Sequence, residues 1–289
     1  MDARVLVPTS IVRDANDRRE ATRKLGWIAR SAAIYGVSDL VVFPDPDGSA
    51  PNDGEFVATV LRYATTPPYL RKEVFGRRDE LAAAGVLPPL RLPTWTGSES
   101  NDSGSIREGI VTEVGADGRV RVNCGLQHPI SLVSPDGDPL TEGERVTVSI
   151  SSREPVRAKL LDQEPPGPNI SERQLSSALS ADDAGLRIAT SRLGHPLTLG
   201  LLRGPLNQRH RTPITLAFGA PDRGLVDICG SLGIEATPPD EPGRVDEPLT
   251  ADHDTPFDLW LNTIPNQQSE VVRTEEAVIA SLACLHLEE

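Results

Sequence analysis

The chain of 289 residues is 38% hydrophobic with 26 Pro and 24 Gly, enough to bury one large core or two modest ones between ordered loops. No apolar run is as long as a membrane span, and Cys124, Cys229 and Cys284 lie far apart without C-x-x-C spacing, so a spanning helix, a disulfide framework and a zinc site are excluded and a cytoplasmic protein with core thiols is expected. The net charge is −13, and Lys24, Lys72 and Lys159 are the only lysines among 29 basic residues, a balance that keeps a protein hydrated in concentrated salt and points to a halophilic source.

In chain order, residues 4–8 form a short apolar run that predicts a buried strand. A helix follows, with Asn16 or Asp17 as N-cap and an end near Tyr35. At 100° per residue, Ala21, Leu25, Ile28, Ala29 and Ala32 share one face, while Arg19, Arg23 and Arg30 line the opposite one. That line is either a solvated polar face or a phosphate-facing stripe. Residues 39–43 give a second buried strand, ended by Asp45-Pro46-Asp47-Gly48, and helices are expected over 56–63 and 80–84. Such alternation with short links predicts a parallel α/β sheet.

The pattern changes between Pro88 and Gly104, a Pro-rich and then Ser/Asp/Gly-rich connection. Short alternating strands follow at 109–114 and 120–125, joined by the turn Ala116-Asp117-Gly118, and again at 129–133 and 145–150. Four or five such strands suggest a small closed barrel of OB-like type. A second linker, 163–168, closes it, which is the arrangement of a domain inserted at a surface loop. The expected organisation is an α/β domain over 1–95 and 166–289, interrupted by a barrel over 96–165.

Beyond Pro168 the α/β pattern resumes. Ser171 is expected to cap a helix through Leu179, and strands are expected at 186–190, 214–218 and 258–261. The final helix starts near Thr274 as N-cap and carries Val278, Ile279, Leu282, Ala283 and Leu285 over more than one face.

Hydrolase, P-loop and dinucleotide-binding motifs are absent, and His128, His195, His210, His253 and His286 show no ligand spacing, so no metal is expected. Informative residues sit instead just after buried strands, where open α/β sheets bind ligands. Gly219 and Gly224 allow close backbone approach beside Arg223 in the loop at 218–224. Asn262, Ile264 and Pro265 lie in an amide-rich turn, and Thr274 stands at the mouth of the last helix. Charge is uneven as well. Residues 1–95 carry 13 basic against 12 acidic side chains, whereas 96–165 carry 7 against 12 and 166–289 carry 9 against 18. Polyanion binding is therefore to be sought near the N-terminus, at 13–30 and at 62–78.

Residues 265–277, Pro-Asn-Gln-Gln-Ser-Glu-Val-Val-Arg-Thr-Glu-Glu-Ala, resemble the knot segment of SPOUT methyltransferases, and residues 218–225 resemble that family's F-G-S-P-x-x-G-L loop. Residues 28–37 and 68–72 are similar to the archaeal and eukaryotic branch of RNA methyltransferases with an inserted OB-like domain. Ala220 and Gln268 depart from the pattern, standing where serine and glycine are common. The resemblance implies a C-terminal trefoil knot, a homodimer, and S-adenosyl-L-methionine (SAM) held by Gly219, Arg223, Gly224, Asn262, Ile264, Pro265 and Thr274. It further implies methylation of an RNA base nitrogen, with uridine in ribosomal RNA favoured. Arg19, Arg30 and Arg71 are candidates for the acceptor site or RNA backbone. Methylation of a ribose 2′-hydroxyl or of tRNA, or a non-catalytic RNA-binding or ribosome-assembly role, remain open alternatives.

Overall fold

The computed structural model describes residues 3–92, 95, 105–116, 118–134, 140–163, 165, 167–206, 213–240 and 256–286. They divide into two compact units: Met1–Ala64, Glu80–Pro88 and Pro168–Glu289 form one, and Thr65–Asp79 with Pro89–Gly167 the other. The strands are β1 (Ala3–Pro8), β2 (Asp39–Phe43), β3 (Ser105–Val114), β4 (Arg119–Asn123), β5 (Ile130–Val133), β6 (Arg145–Arg153), β7 (Val156–Leu161), β8 (Asn169–Glu172), β9 (Leu186–Pro196), β10 (Ile214–Ala217) and β11 (Leu259–Asn262). The principal helices are α1 (Arg18–Ile34), α2 (Asp53–Thr65), α3 (Arg71–Phe75), α4 (Leu175–Leu179), α5 (Leu225–Ser231) and α6 (Thr274–Leu285). No helix among the described residues is long and apolar enough to cross a membrane.

The first unit is built on a sheet of order β11-β9-β10-β1-β2-β8 in which every adjacent pair is parallel. A parallel sheet is covered on both faces, and the central strand β1 is buried along its whole length. Its side chains alternate between two cores. Val5 and Val7 join Leu25, Ile28, Val57 and Val278 on one side, whereas Leu6 joins Leu175, Leu225 and Ile228 on the other. The predicted stripe of α1 is buried as the spacing requires, and full burial of Leu25 or Ile28 contributes about 1.5–3 kcal/mol each. Asp17 caps that helix through its carboxylate, which accepts the Glu20 amide at 2.7 Å.

Three expectations change here. Ser171 lies within β8, paired to β2, because β2 has a second side open for a parallel neighbour there; the helix starts only at Leu175. Residues 80–84 form two short 3-10 turns, Asp79–Leu81 and Ala84–Val86, too brief to repay helix nucleation before Pro88. Arg273, not Thr274, is the N-cap of α6, and the Glu276 carboxylate accepts the Arg273 amide at 2.9 Å.

The second unit holds an antiparallel sheet of order β5-β4-β3-β6-β7, whose edge strands β5 and β7 come within 8 Å, so the sheet nearly closes on itself. Val111, Val120, Val122, Val146, Val148 and Ile150 fill its interior. The expected hairpin is the β3–β4 pair, with Val111 opposite Val122. Asp117 in its turn, and most of the connection at 93–104, lie outside the described residues. Segment 65–79, which reads as part of the α/β pattern, belongs to this unit. Tyr69 anchors it: the hydroxyl donates to the Glu108 carbonyl at 2.9 Å, and the ring lies where a Cβ on Gly125 would come within 2.8 Å of it. Gly125 also has φ +75°, so no other residue fits that turn without strain.

Candidate active site

The carboxyl ends of all six parallel strands lie along one edge of the first unit. The strand order switches between β1 and β10, since the chain leaves β1 toward β2 and β10 toward β11 on opposite sides, the place where such sheets bind ligands. The loop after β10 is held tightly. Ala220 and Arg223 exchange two backbone hydrogen bonds, at 2.9 and 3.1 Å. A Cβ on Gly219 would stand 2.9 Å from the Arg223 carbonyl oxygen and 3.1 Å from the Leu225 nitrogen, so glycine is needed for the turn itself. Gly224, in contrast, is exposed, and the nearest heavy atom to its would-be Cβ is 3.9 Å away.

Arg223 is committed to a clasp that sequence reasoning did not foresee. Its Nε donates to both carboxylate oxygens of Asp45 at 3.0 Å, and its Nη2 donates to Ser231 Oγ at 2.7 Å. The Asp45 side chain is wholly buried. The Asp45 amide in turn donates to Thr9 Oγ1 at 2.9 Å, and Thr9 shares a hydrogen bond with Ser49. Loops after β1, β2 and β10 are thereby tied into one polar network. Its sequence signal was the turn Asp45-Pro46-Asp47-Gly48, whose partner lies 178 residues away.

Thr274 completes this corner from the last helix: its buried hydroxyl donates to the Gly219 carbonyl at 2.9 Å. Asn262 ends β11, and Ile264 and Pro265 follow it on the same edge, two strand spacings or about 10 Å from β10. Asn262 makes an Asx turn, its Oδ1 accepting the Ile264 amide at 3.0 Å, and its Nδ2 donates to the Arg192 carbonyl at 3.3 Å. Thr263 bonds Ser281 of α6 at 2.9 Å, so the loop and the helix are fixed together. Register between β9 and β11 slips after Trp260, from Ala189 to His195, which leaves residues 190–194 of β9 without a partner in β11.

The beginning of α6 is also clamped to α1. Buried Lys24 pairs with Asp14 and, at 3.4 Å, with Glu275; Arg273 pairs with Glu20 at 3.0 Å. The Asn16 amide and side chain and then Arg273 hold the Glu20 carboxyl down at about 2. Arg19 and Arg23 are exposed and make no ion pair among the described residues, and Arg30 is half-buried. A cleft of about 330 Å³ lies between α1 and α6, lined by Arg23, Trp27, Ser31, Arg273 and Ile279. Arg71 belongs to the second unit, where its Nε donates to the Thr66 carbonyl at 3.0 Å. Among the described residues no group of three His, Cys, Asp or Glu side chains is placed to hold a metal ion.

Comparison with known proteins assigns the chain to a class. Residues 2–285 match a family model described as "Putative RNA methyltransferase". The chain belongs to this RNA methyltransferase family. An uncharacterized protein of Halobacterium salinarum is 58% identical over 292 residues and another of Haloarcula marismortui 57% over 291, each covering 100% of both chains. Both come from salt-loving archaea, in keeping with the acidic composition. The human 28S rRNA (uridine-N(3))-methyltransferase is 30% identical over 316 residues, spanning 97% of this chain and 77% of the human one.

Proposed function

We propose that this chain is a SAM-dependent methyltransferase acting on a base nitrogen, with uridine N3 favoured, of ribosomal RNA. The observation that carries this reading is the full-length match to the RNA methyltransferase family, together with a relative that bears that activity in its name over 97% of the chain. The edge of the sheet fits the cofactor. Gly224 leaves open space for a ligand to approach the backbone, and half-buried Ile264, fixed by the Asn262 turn, offers an apolar contact. Gly219, Arg223, Gly224, Asn262, Ile264, Pro265 and Thr274 would hold SAM, which supplies an electrophilic methyl group. Arg223 acts there chiefly by shape, since Asp45 and Ser231 already take its Nε and Nη2.

The protein's part in methyl transfer is positioning and management of charge. A uridine N3 must lose its proton before or during attack, and a guanidinium beside the ring stabilises the resulting anion. Arg19, Arg30 and Arg71 are the residues proposed for that task or for holding RNA phosphates. The reading also includes the C-terminal trefoil knot, a cytoplasmic location and a homodimer through α6 and α1. Trp27 and Ile279 support the dimer by exposing 45% and 38% of their surfaces along that pair of helices. The five-stranded order β5-β4-β3-β6-β7 supports an OB-like RNA-binding barrel.

Calorimetric titration of the full chain with SAM tests the cofactor assignment. Saturable binding that is lost in Gly224→Val, with an unchanged melting temperature, is the expected result. A folded wild-type chain that does not bind SAM would overturn the catalytic reading and leave an RNA-binding scaffold.

A further inference from the structure

We propose that the barrel unit carries a composite RNA-binding face, in which the outward arginines of β4 and the cations of segment 65–79 together follow an RNA sugar–phosphate backbone. The proposal rests on the reading of the chain as an RNA methyltransferase and assigns the surface that holds its substrate. Charge distribution is the first observation. Within this unit, stretch 89–167 has eight basic against twelve acidic residues, whereas 65–79 has four against two. The positive part of the unit therefore comes from outside the barrel's own sequence.

Geometry places that segment against β4. Leu70 is fully buried, Tyr69 is bonded to the Glu108 carbonyl, and Asn123 Nδ2 donates to Glu73 Oε2 at 2.9 Å. Arg119, Arg121 and Asn123 alternate with buried Val120 and Val122, so they share the outer face of the strand. Arg121 stands about 7 Å along the strand from Asn123. Lys72 adjoins Glu73, and Arg77 follows directly after α3 ends at Gly76. The Asn123–Glu73 bond thus joins β4, which carries Arg119 and Arg121, to the segment that carries Lys72 and Arg77.

Arg119 is exposed while its Nε and Nη2 donate to Ser131 Oγ at 2.9 Å and to the Ser131 carbonyl at 3.1 Å, and the other three cations are open to phosphate. Lys72 and Arg77 are exposed and make no ion pair among the described residues. Arg121 meets Glu113 at 3.4 Å with both side chains more than half exposed, a contact weak enough to yield to a phosphate. Strands β3 to β7 contain no Phe, Tyr or Trp on which to stack bases, and in segment 65–79 the Tyr69 ring packs against Gly125 and Phe75 is half-buried. Contacts to the backbone rather than to base faces should therefore dominate, with strong salt dependence and little sequence preference.

The test uses full-length protein and a fluorescein-labelled RNA stem-loop, with affinity measured across a salt series. Lys72→Glu/Arg77→Glu and Arg119→Glu/Arg121→Glu are compared with Arg157→Glu/Lys159→Glu, which makes the same charge change on β7. Each of the first two pairs should weaken binding and lower the slope of log affinity against log salt by about 1.4–1.8, the loss of two phosphate contacts. The β7 pair should stay near wild type, and SAM affinity should be constant throughout. Should charge reversal lower the melting temperature, the neutral Lys72→Gln/Arg77→Gln pair carries the same forecast for the slope. Wild-type binding with all three pairs equally affected, or all unaffected, overturns the composite face alone. A wild-type chain that fails to bind RNA while still binding SAM overturns the RNA methyltransferase reading instead.

Discussion

Replacing Asp45 with alanine should expose how strongly the proposed SAM-binding edge depends on the Arg223 clasp. The substitution leaves a guanidinium that is only 18% exposed facing the space of a wholly buried carboxylate. Breaking a buried pair from one side costs about 3–5 kcal/mol, and the lower end applies because Arg223 keeps its bond to Ser231 and some solvent. For a unit of this size a loss of about 3 kcal/mol lowers the melting temperature by about 6–12 °C. High salt should change this little, since a buried pair is poorly screened. Thermal denaturation of Asp45→Ala, Arg223→Ala and the double variant measures the coupling directly. The double variant should be much less destabilised than the sum of the single variants, and SAM affinity should fall in all three. Additivity within about 0.5 kcal/mol would refute the clasp.

Other outcomes follow from the same geometry. Gly219→Ala should lower both stability and SAM affinity, by about 1–3 kcal/mol in stability, because its Cβ meets loop backbone rather than a movable side chain; unchanged melting and binding would contradict this. Thr274→Val should cost about 1–2 kcal/mol by stranding the Gly219 carbonyl, while Thr274→Ser should retain most of it. Since the Glu20 carboxyl is depressed from 4.5 to about 2, its contribution is complete above its unfolded value and lost as pH falls between the two. Acid melting of Glu20→Gln should therefore be flatter than wild type over that window. Light scattering should report a dimer, and Trp27→Glu/Ile279→Glu should yield a monomer if α1 and α6 form the interface.

What could be read from the sequence depended on whether the signal was local. Strands β1, β2, β10 and β11 are short apolar runs because a parallel sheet buries both faces, and α1 announces its core stripe and its Asp17 cap by spacing alone. β8 and β7 were not distinguishable: Asn169-Ile170-Ser171-Glu172 is an edge strand with a single apolar residue, defined by pairing to β2, and β7 alternates weakly. The candidate loops after β10 and β11 were visible as glycine-rich and amide-rich turns. Asp45 was not, because an aspartate before proline and glycine reads as an ordinary turn until the fold brings Arg223 to it. Thr274 looked like an N-cap for the same reason, its partner at Gly219 being 55 residues away. Nor did anything local show that Tyr69 belongs to the barrel unit, since the hydrogen bond that attaches it reaches across 39 residues.

The most direct test of the central claim is methyl transfer itself, read by nucleoside mass spectrometry. Ribosomal RNA from a deletion strain, incubated with the purified chain and SAM, should gain 3-methyluridine that wild-type RNA already contains and the untreated deletion RNA lacks. Methyl groups appearing on ribose 2′-oxygens would contradict the assignment of a base nitrogen. No incorporation at all, from a folded chain supplied with both substrates, would contradict the account as a whole.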